Sequence, residues 1–281
     1  MKQYQLTKEQ IIAYGKHLRE EERSAGTIEK YLRDTRSFAV WLEGQPVTKE
    51  LAAEWKAFLL ENHYAPVSVN AMLSAVNGLF DFLGWGECRV KFLKIQRKLF
   101  REASRELSRQ EYERLILTAE SLGKKRLALL METICATGIR VSEVQYITVQ
   151  AATQGKTEIS LKGKIRTILI PGKLCRKLLK YAKKNKIASG EIFLTRSGRS
   201  MSRKQIWAEM KRVCREAGVE ATKVFPHNLR HLFARTFYQA CRDVAKLADV
   251  LGHSSMDTTR IYLISTGAEH AKTLEQLRLV S

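Results

Sequence analysis

Two arginines, two histidines and one tyrosine stand in a few short segments of this chain, at spacings that would suit phosphodiester chemistry. His227-Asn228-Leu229-Arg230-His231 is followed by Leu251-Gly252-His253-Ser254-Ser255 and Thr258-Thr259-Arg260-Ile261-Tyr262, and Arg140 lies upstream in Thr137-Gly138-Ile139-Arg140-Val141-Ser142-Glu143. A phenol with a pKa of ~10 is almost fully protonated at neutral pH, so its attack on phosphorus needs a proton acceptor and charge stabilisation. Arginine, planar and permanently charged, can hold the oxygens of a phosphoryl transition state without a metal. Taken alone, Tyr262 reads as an ordinary core or surface tyrosine. It becomes a candidate nucleophile because Arg140, Arg230, His227 and His253 accompany it.

Local signals suggest how these side chains are carried. Pro226 fits the first position of a helix, where its missing N–H costs nothing, and this sets His227 and Arg230 three residues apart on one face. Leu229, Phe233, Thr236, Phe237 and Ala240 form the opposite, core-facing stripe, so the polar pair is expected to point away from the packing. His231 shares the polar face, and position alone does not separate it from His227. As a metal site, His227-x-x-x-His231 is weak: Asn228 stands where a zinc protease has Glu, and no third ligand suggests itself. Ser254-x-x-Asp257 reads as a capping box for a helix carrying Tyr262. Glu143 either orients the Arg140 guanidinium or makes an ordinary helix-surface ion pair.

The rest of the chain must position these groups. Residues 7–85 read as four helices. Thr7-x-x-Gln10 is a capping-box start, a second helix begins near Thr27, and Thr48 and Ser68 can cap the third and fourth. From Arg89 to Arg105 seven basic residues face only Glu102. That stretch reads either as a connector tracking a phosphate backbone or as a solvated helix face. Ser108-x-x-Glu111 opens another helix, and a further one ends at Thr137-Gly138, with glycine in the left-handed position. The stretch before the next strands is irregular. Thr157–Leu161 and Arg166–Ile170 alternate around Lys162-Gly163-Lys164-Ile165, a hairpin signal. Helices resume at about 173–185 and 203–217, and from Pro226 onward.

Composition narrows the partner. Residues 1–100 hold 15 Lys and Arg against 12 Asp and Glu, whereas residues 101–281 hold 34 against 17, so most of the net +20 charge belongs to the second part. An excess of that size favours a polyanion over mere solubility. Five cysteines without a Cys-x-x-Cys pair fit a reducing cytosol and argue against disulfides and structural zinc. The N-terminus has no apolar core resembling a signal peptide, and Leu127–Ala136, interrupted by Glu132, is too short to span a membrane.

Three segments carry a resemblance. Ala136–Glu143, Pro226–Phe233 and Val250–Tyr262 together resemble the tyrosine recombinases of the phage-integrase and Xer superfamily. The combination is specific, although each piece alone would be moderately so. The resemblance implies a mainly α fold, with an N-terminal four-helix SAM-like core-binding domain and a helical catalytic domain holding a small antiparallel β-sheet. The expected boundaries are 1–88 for the core-binding domain, 89–106 for a basic linker and 107–281 for the catalytic domain. Thr27-Ile28-x-x-Tyr31 extends the likeness, more weakly, into the first domain, and the two domains are expected to clamp a duplex.

By resemblance, Arg140 and Arg230 bind the scissile phosphate, His227 assists proton transfer, His253 hydrogen-bonds the phosphate, and Tyr262 becomes joined to a DNA 3′-phosphate. A hairpin lysine would protonate the leaving 5′-oxygen; Lys162 matches best, with Lys164 as the alternative, and either could instead be a solvated turn lysine. The resemblance further implies double-stranded DNA as partner, a homo-tetramer working through a Holliday junction, and no metal, ATP or other cofactor. The segment Ser265–Val280 has apolar residues at roughly helical spacing and would dock in trans on a neighbouring protomer, or else pack on its own domain. Asn228 departs from a frequent Asp of the family. By the same resemblance, the chain is expected to start at the core-binding helices without an arm-binding module ahead of them. Integration and excision, inversion and dimer resolution all stay open. So do two rival classes: a type IB topoisomerase that nicks and reseals one strand, and a DNA-binding regulator without catalysis.

Overall fold

A computed structural model describes residues 3–95, 103–161, 164–253, 255–260, 262 and 275–277. Contacts divide the chain into two compact units, Met1–Arg97 and Lys98–Ser281. No helix among the described residues is long and apolar enough to cross a membrane.

The first unit is built from α1 (Lys8–Glu20), α2 (Ala25–Leu42), α3 (Lys49–Glu61) and α4 (Pro66–Phe82). Thr7 and Gln10 form the expected reciprocal capping box, and Ser24 and Thr48 cap α2 and α3. Ser68 caps nothing: α4 starts two residues earlier, at Pro66, whose fixed φ presets the first turn without a side-chain cap. Phe38, Trp55 and Phe80 meet at the centre, with ring centroids 5.0 and 5.8 Å apart from Phe38. Each is almost fully buried, and each such side chain contributes ~2–3 kcal/mol of apolar burial. The first part of the basic stretch after α4, residues 89–95, is neither free nor helical, whereas Ala103–Arg105 at its end form a 3-10 turn. Asn77 donates to the Val90 carbonyl (2.9 Å) and accepts from the Val90 N–H (3.0 Å). Asn70 makes the same pair of bonds with Leu93, at 2.9 and 2.8 Å. Two asparagines two turns apart on α4 therefore strap the extended 89–95 segment to the helix. The remainder of the expected connector, 96–102, lies outside the described residues.

The second unit packs α5 (Arg109–Ser121), α6 (Lys125–Thr137), α8 (Gly172–Lys184), α9 (Arg203–Cys214) and α10 (Pro226–Cys241) around one apolar core. Short helix α7 (Val149–Gln154) precedes a two-stranded antiparallel sheet, β1 (Lys156–Leu161) and β2 (Lys164–Leu169), and so orders a stretch expected to be irregular. Strand alternation turns Ile168 and Ile170 inward and leaves Ile165 and Leu169 exposed. Helices α11 (Val244–Leu251) and α12 (Met256–Arg260) complete the described part, and Tyr262 follows α12 in a turn. The described residues are thus mainly helical with one small antiparallel sheet, as expected. The cysteines are free, with Cys88, Cys175 and Cys214 buried and Cys135 and Cys241 only partly so.

Candidate active site

Arg230 sits at the centre and faces inward. The helix-face argument placed it outward with His227, yet its side chain is 1% exposed while His227 is exposed and Thr236 and Ala240, expected in the core, face solvent. Backbone carbonyls account for the difference. Arg230 Nη1 donates to the Gly138 carbonyl (2.6 Å) and Nη2 to the Leu251 carbonyl (2.8 Å), so the buried guanidinium has the partners it needs. Its Nη2 also lies 2.9 Å from His253 Nε2, and its Nε makes a long approach of 3.4 Å to the Tyr262 hydroxyl. Burial lowers the Arg230 pKa from its ordinary value.

Arg140 reaches the same place from the end of α6. Gly138 closes that helix with φ +64°, and a Cβ there would strike the Phe233 ring of α10, so glycine lets the two helices approach. Glu143, in the 3-10 turn Val141–Tyr146, is 1% exposed and holds Arg140 twice. Its Oε2 accepts from the Arg140 backbone N–H (2.8 Å) and its Oε1 from Nη1 (2.9 Å). Of the two readings of Glu143, the geometry is that of an orienting carboxylate. Arg166 of β2 completes the cluster by donating to Glu143 Oε2 at 3.0 Å. Arg140 and Arg166 share one carboxylate, and with the buried Arg230 beside them the cluster is left with net positive charge, which is what an anion requires.

His253 follows Gly252, which takes φ +64° at the end of α11, and its backbone N–H closes on the Ala248 carbonyl. Arginine has only donors, so His253 Nε2 must accept from Arg230, and the ring proton sits on Nδ1, 2.9 Å from Thr259 Oγ1. Thr259 is fully buried beneath it. Burial, then the charges of Arg230, Arg140 and Arg166 and the neighbouring His227, push the His253 pKa down from 6.5 to about 4. The ring is therefore neutral at pH 7.

Tyr262 is 5% exposed, stacked near His253 with centroids 5.7 Å apart, and 6.2 Å from His227. His231, which position alone could not separate from His227, lies nearer: its ring is 4.5 Å from both Tyr262 and His227. One cavity of about 880 Å³ is lined by Arg140, His227, Arg230, His253 and Tyr262. Five of the six expected residues therefore converge. Lys162 lies outside the described residues, as does Ser254 with its proposed cap; Lys164 opens β2 rather than a turn. Sequence reasoning missed Arg166 and Thr259. It also missed the far wall of the cavity, where Arg203, Lys204 and Trp207 project from the first turns of α9. Among the described residues, no three His, Cys, Asp or Glu side chains gather as metal ligands would.

A buried arginine–histidine–tyrosine cluster in a helical unit with a small sheet is the arrangement expected of one class, enzymes that use tyrosine on a phosphodiester. The sequence matches the phage integrase family over residues 105–269 and the phage integrase N-terminal SAM-like domain over 11–87. It is 31% identical to tyrosine recombinase XerC of Roseiflexus castenholzii, over 90% of this chain and 88% of that protein. It is 28% identical to tyrosine recombinase XerA of Pyrococcus furiosus, over 100% of this chain and 98% of that one. Its fold is similar to that of a lambda integrase tetramer bound to a Holliday junction, with a TM-score of 0.71 at 20% identity, covering 90% of this chain and 76% of that one. The chain belongs to the phage integrase family and is a tyrosine-type site-specific DNA recombinase.

Proposed function

We propose that Tyr262 attacks the scissile phosphorus, forming a 3′-phosphotyrosyl bond as the bond to the 5′-oxygen breaks. Arg140 and Arg230 hold the non-bridging oxygens, His227 takes up the phenolic proton, and His253 hydrogen-bonds the phosphate. Lys162, or Lys164 in its place, returns a proton to the departing 5′-oxygen. Rejoining runs these steps in reverse with a 5′-hydroxyl from the partner duplex, so the bond energy is kept in the protein–DNA linkage and neither ATP nor a metal enters. The observation that carries the reading is the Arg230 side chain, buried and within hydrogen-bonding distance of His253 Nε2 with the Tyr262 hydroxyl beside it, in a cavity that Arg140 also lines.

In this reading residues 1–88 form a DNA-clamping domain, 89–106 a basic linker and 107–281 the catalytic domain. Four-way-junction chemistry calls for a tetramer on DNA, with the segment after Tyr262 docking in trans; the lambda integrase tetramer on a Holliday junction supports that assembly by analogy of fold. Integration and excision of a mobile element, inversion, or resolution in an Xer-like role all fit, acting in the cytoplasm. The test uses a pool of nicked duplexes of random sequence, in which cleavage beside the nick releases a short strand and traps the adduct. Wild-type protein should yield a covalent complex whose attached strand, once sequenced, gives the preferred site. Tyr262→Phe should bind that site equally well and yield none. An adduct persisting in the variant removes Tyr262 from the reaction.

A further inference from the structure

Arg166 is a charged residue on the inward face of a strand, beside buried Ile168 and Ile170 and paired in register with buried Ile159. Its side chain is 8% exposed and touches two separate segments. Nη1 donates to Glu143 Oε2 (3.0 Å), the carboxylate whose other oxygen holds Arg140. Nη2 donates to the Val250 carbonyl (2.8 Å), three residues before His253. Its stem fills the space over Gly252, where a Cβ would run into Cδ, and its Nε has no hydrogen-bond partner. Burial lowers its pKa to about 10, with Arg230 and Arg140 adding to the fall, so the charge is kept at a cost.

A buried ion pair adds little to stability compared with well-packed apolar side chains, so stability alone is a poor account of an arginine here. A rigid fork that reaches two acceptors on different segments is what arginine offers and lysine does not. We propose that Arg166 is a positioning residue for DNA cleavage. Through Glu143 it fixes Arg140, and through the Val250–Gly252 turn it fixes His253, around the scissile phosphate. This rests on the recombinase reading above. Without Arg166, Glu143 keeps only its contacts to Arg140, and neither side chain is tied to β2 any longer.

A double-mutant cycle tests it, using the trapped duplex recovered from the random pool and single-turnover cleavage rates at saturating protein. Arg166→Met and Glu143→Gln should each slow cleavage at least ~30-fold while changing duplex affinity less than about threefold, and the double variant should be no slower than the slower single one. Thermal melts should show the double variant at least as stable as Arg166→Met, because the buried carboxylate that has lost its buried partner and keeps only the half-exposed Arg140 is gone. Where Arg166→Met fails to fold, Arg166→Lys replaces it in the same cycle, with a loss of about 3- to 10-fold expected because one ammonium cannot serve both acceptors. Penalties that multiply in the double variant, or a loss confined to affinity, overturn the proposal. Wild-type protein giving no adduct would instead overturn the recombinase reading itself.

Discussion

His253 offers a test that needs no DNA. Its imidazole is neutral in the folded protein because burial and the surrounding cations oppose a second proton: Arg230 and His227 on α10, Arg140 ahead of the 3-10 turn, and Arg166 on β2. Its Nε2 is engaged by Arg230 and its Nδ1 proton by Thr259, so protonation would set two donors face to face. The displacement from 6.5 to about 4 corresponds to ~3 kcal/mol at ~1.4 kcal/mol per tenfold change in proton affinity. Because the ring is only partly buried, solvent screening reduces this to ~1–2 kcal/mol. The sign follows from linkage. The unfolded chain takes up a proton near pH 6.5 and the folded one does not until about 4, so this contribution is full above 6.5 and is lost as pH falls through that window.

The assay is the imidazole carbon-proton resonance of His253 followed by NMR over pH 3.5–8, assigned by its disappearance in His253→Asn, together with thermal melts at pH 7 and 5. The resonance should titrate near 4, and the wild type should lose more stability between the two pH values than His253→Asn does. A midpoint between 6 and 7 refutes the reasoning, since it would mean that the ring does not feel the arginines. With a phosphate anion against those arginines the same pKa should rise, because the anion offsets their charge and rewards a proton on Nε2.

Arg230→Ala should slow cleavage ~100-fold or more and lower stability by ~2–4 kcal/mol, since the carbonyls of Gly138 and Leu251 lose their donor; single-turnover rates and urea melts measure the two effects separately. Gly252→Ala should cost ~1–3 kcal/mol, because the residue has φ +64° and its Cβ would meet Arg166, and thermal melts would show it. Asn77→Ala removes both strap bonds at Val90 and should destabilise the protein by ~1–3 kcal/mol, seen by urea melts and as faster hydrogen exchange at the Val90 amide. Duplex affinity should fall steeply between ~50 and ~200 mM salt, with a log–log slope set by the number of phosphates contacted, while the cleavage rate at saturating protein should change far less.

Helix starts were legible where side chains do the capping, as Thr7 and Ser108 do, because that signal is local. Ser68 misled because proline two residues earlier also starts a helix, and a preset φ outweighs an optional cap. The strap of Asn70 and Asn77 was hidden: asparagines two turns apart on a helix look like an ordinary polar stripe until a second segment lies beside them. The residues that meet in the cavity were legible by type, because the chemistry expected of them demands those types. Their orientation was not. A lone arginine on an amphipathic helix defaults to the polar side, and nothing near Arg230 in the sequence announces carbonyls supplied from 92 residues before it and 21 after. Arg166 did leave a trace, a charge at an inward position of an alternating strand, readable only once the register is known.

The carbonyls that hold the buried arginines share a position. Gly138 caps the C-terminus of α6, and Val250 and Leu251 are the last two residues of α11. The ends of these helices carry unsatisfied carbonyls and partial negative charge, so Arg230 and Arg166 are docked on helix C-termini as well as near Glu143. Backbone dipoles neither titrate nor exchange with ions, and within the protein they are screened far less than surface charges. In the proposed mechanism the positive charge for the phosphate is thus oriented before DNA arrives, and binding need not reorganise it. The exposed lysines and arginines that draw DNA toward the protein are open to solvent ions. The division between a salt-sensitive grip and a salt-insensitive site therefore follows from what each set of cations rests on.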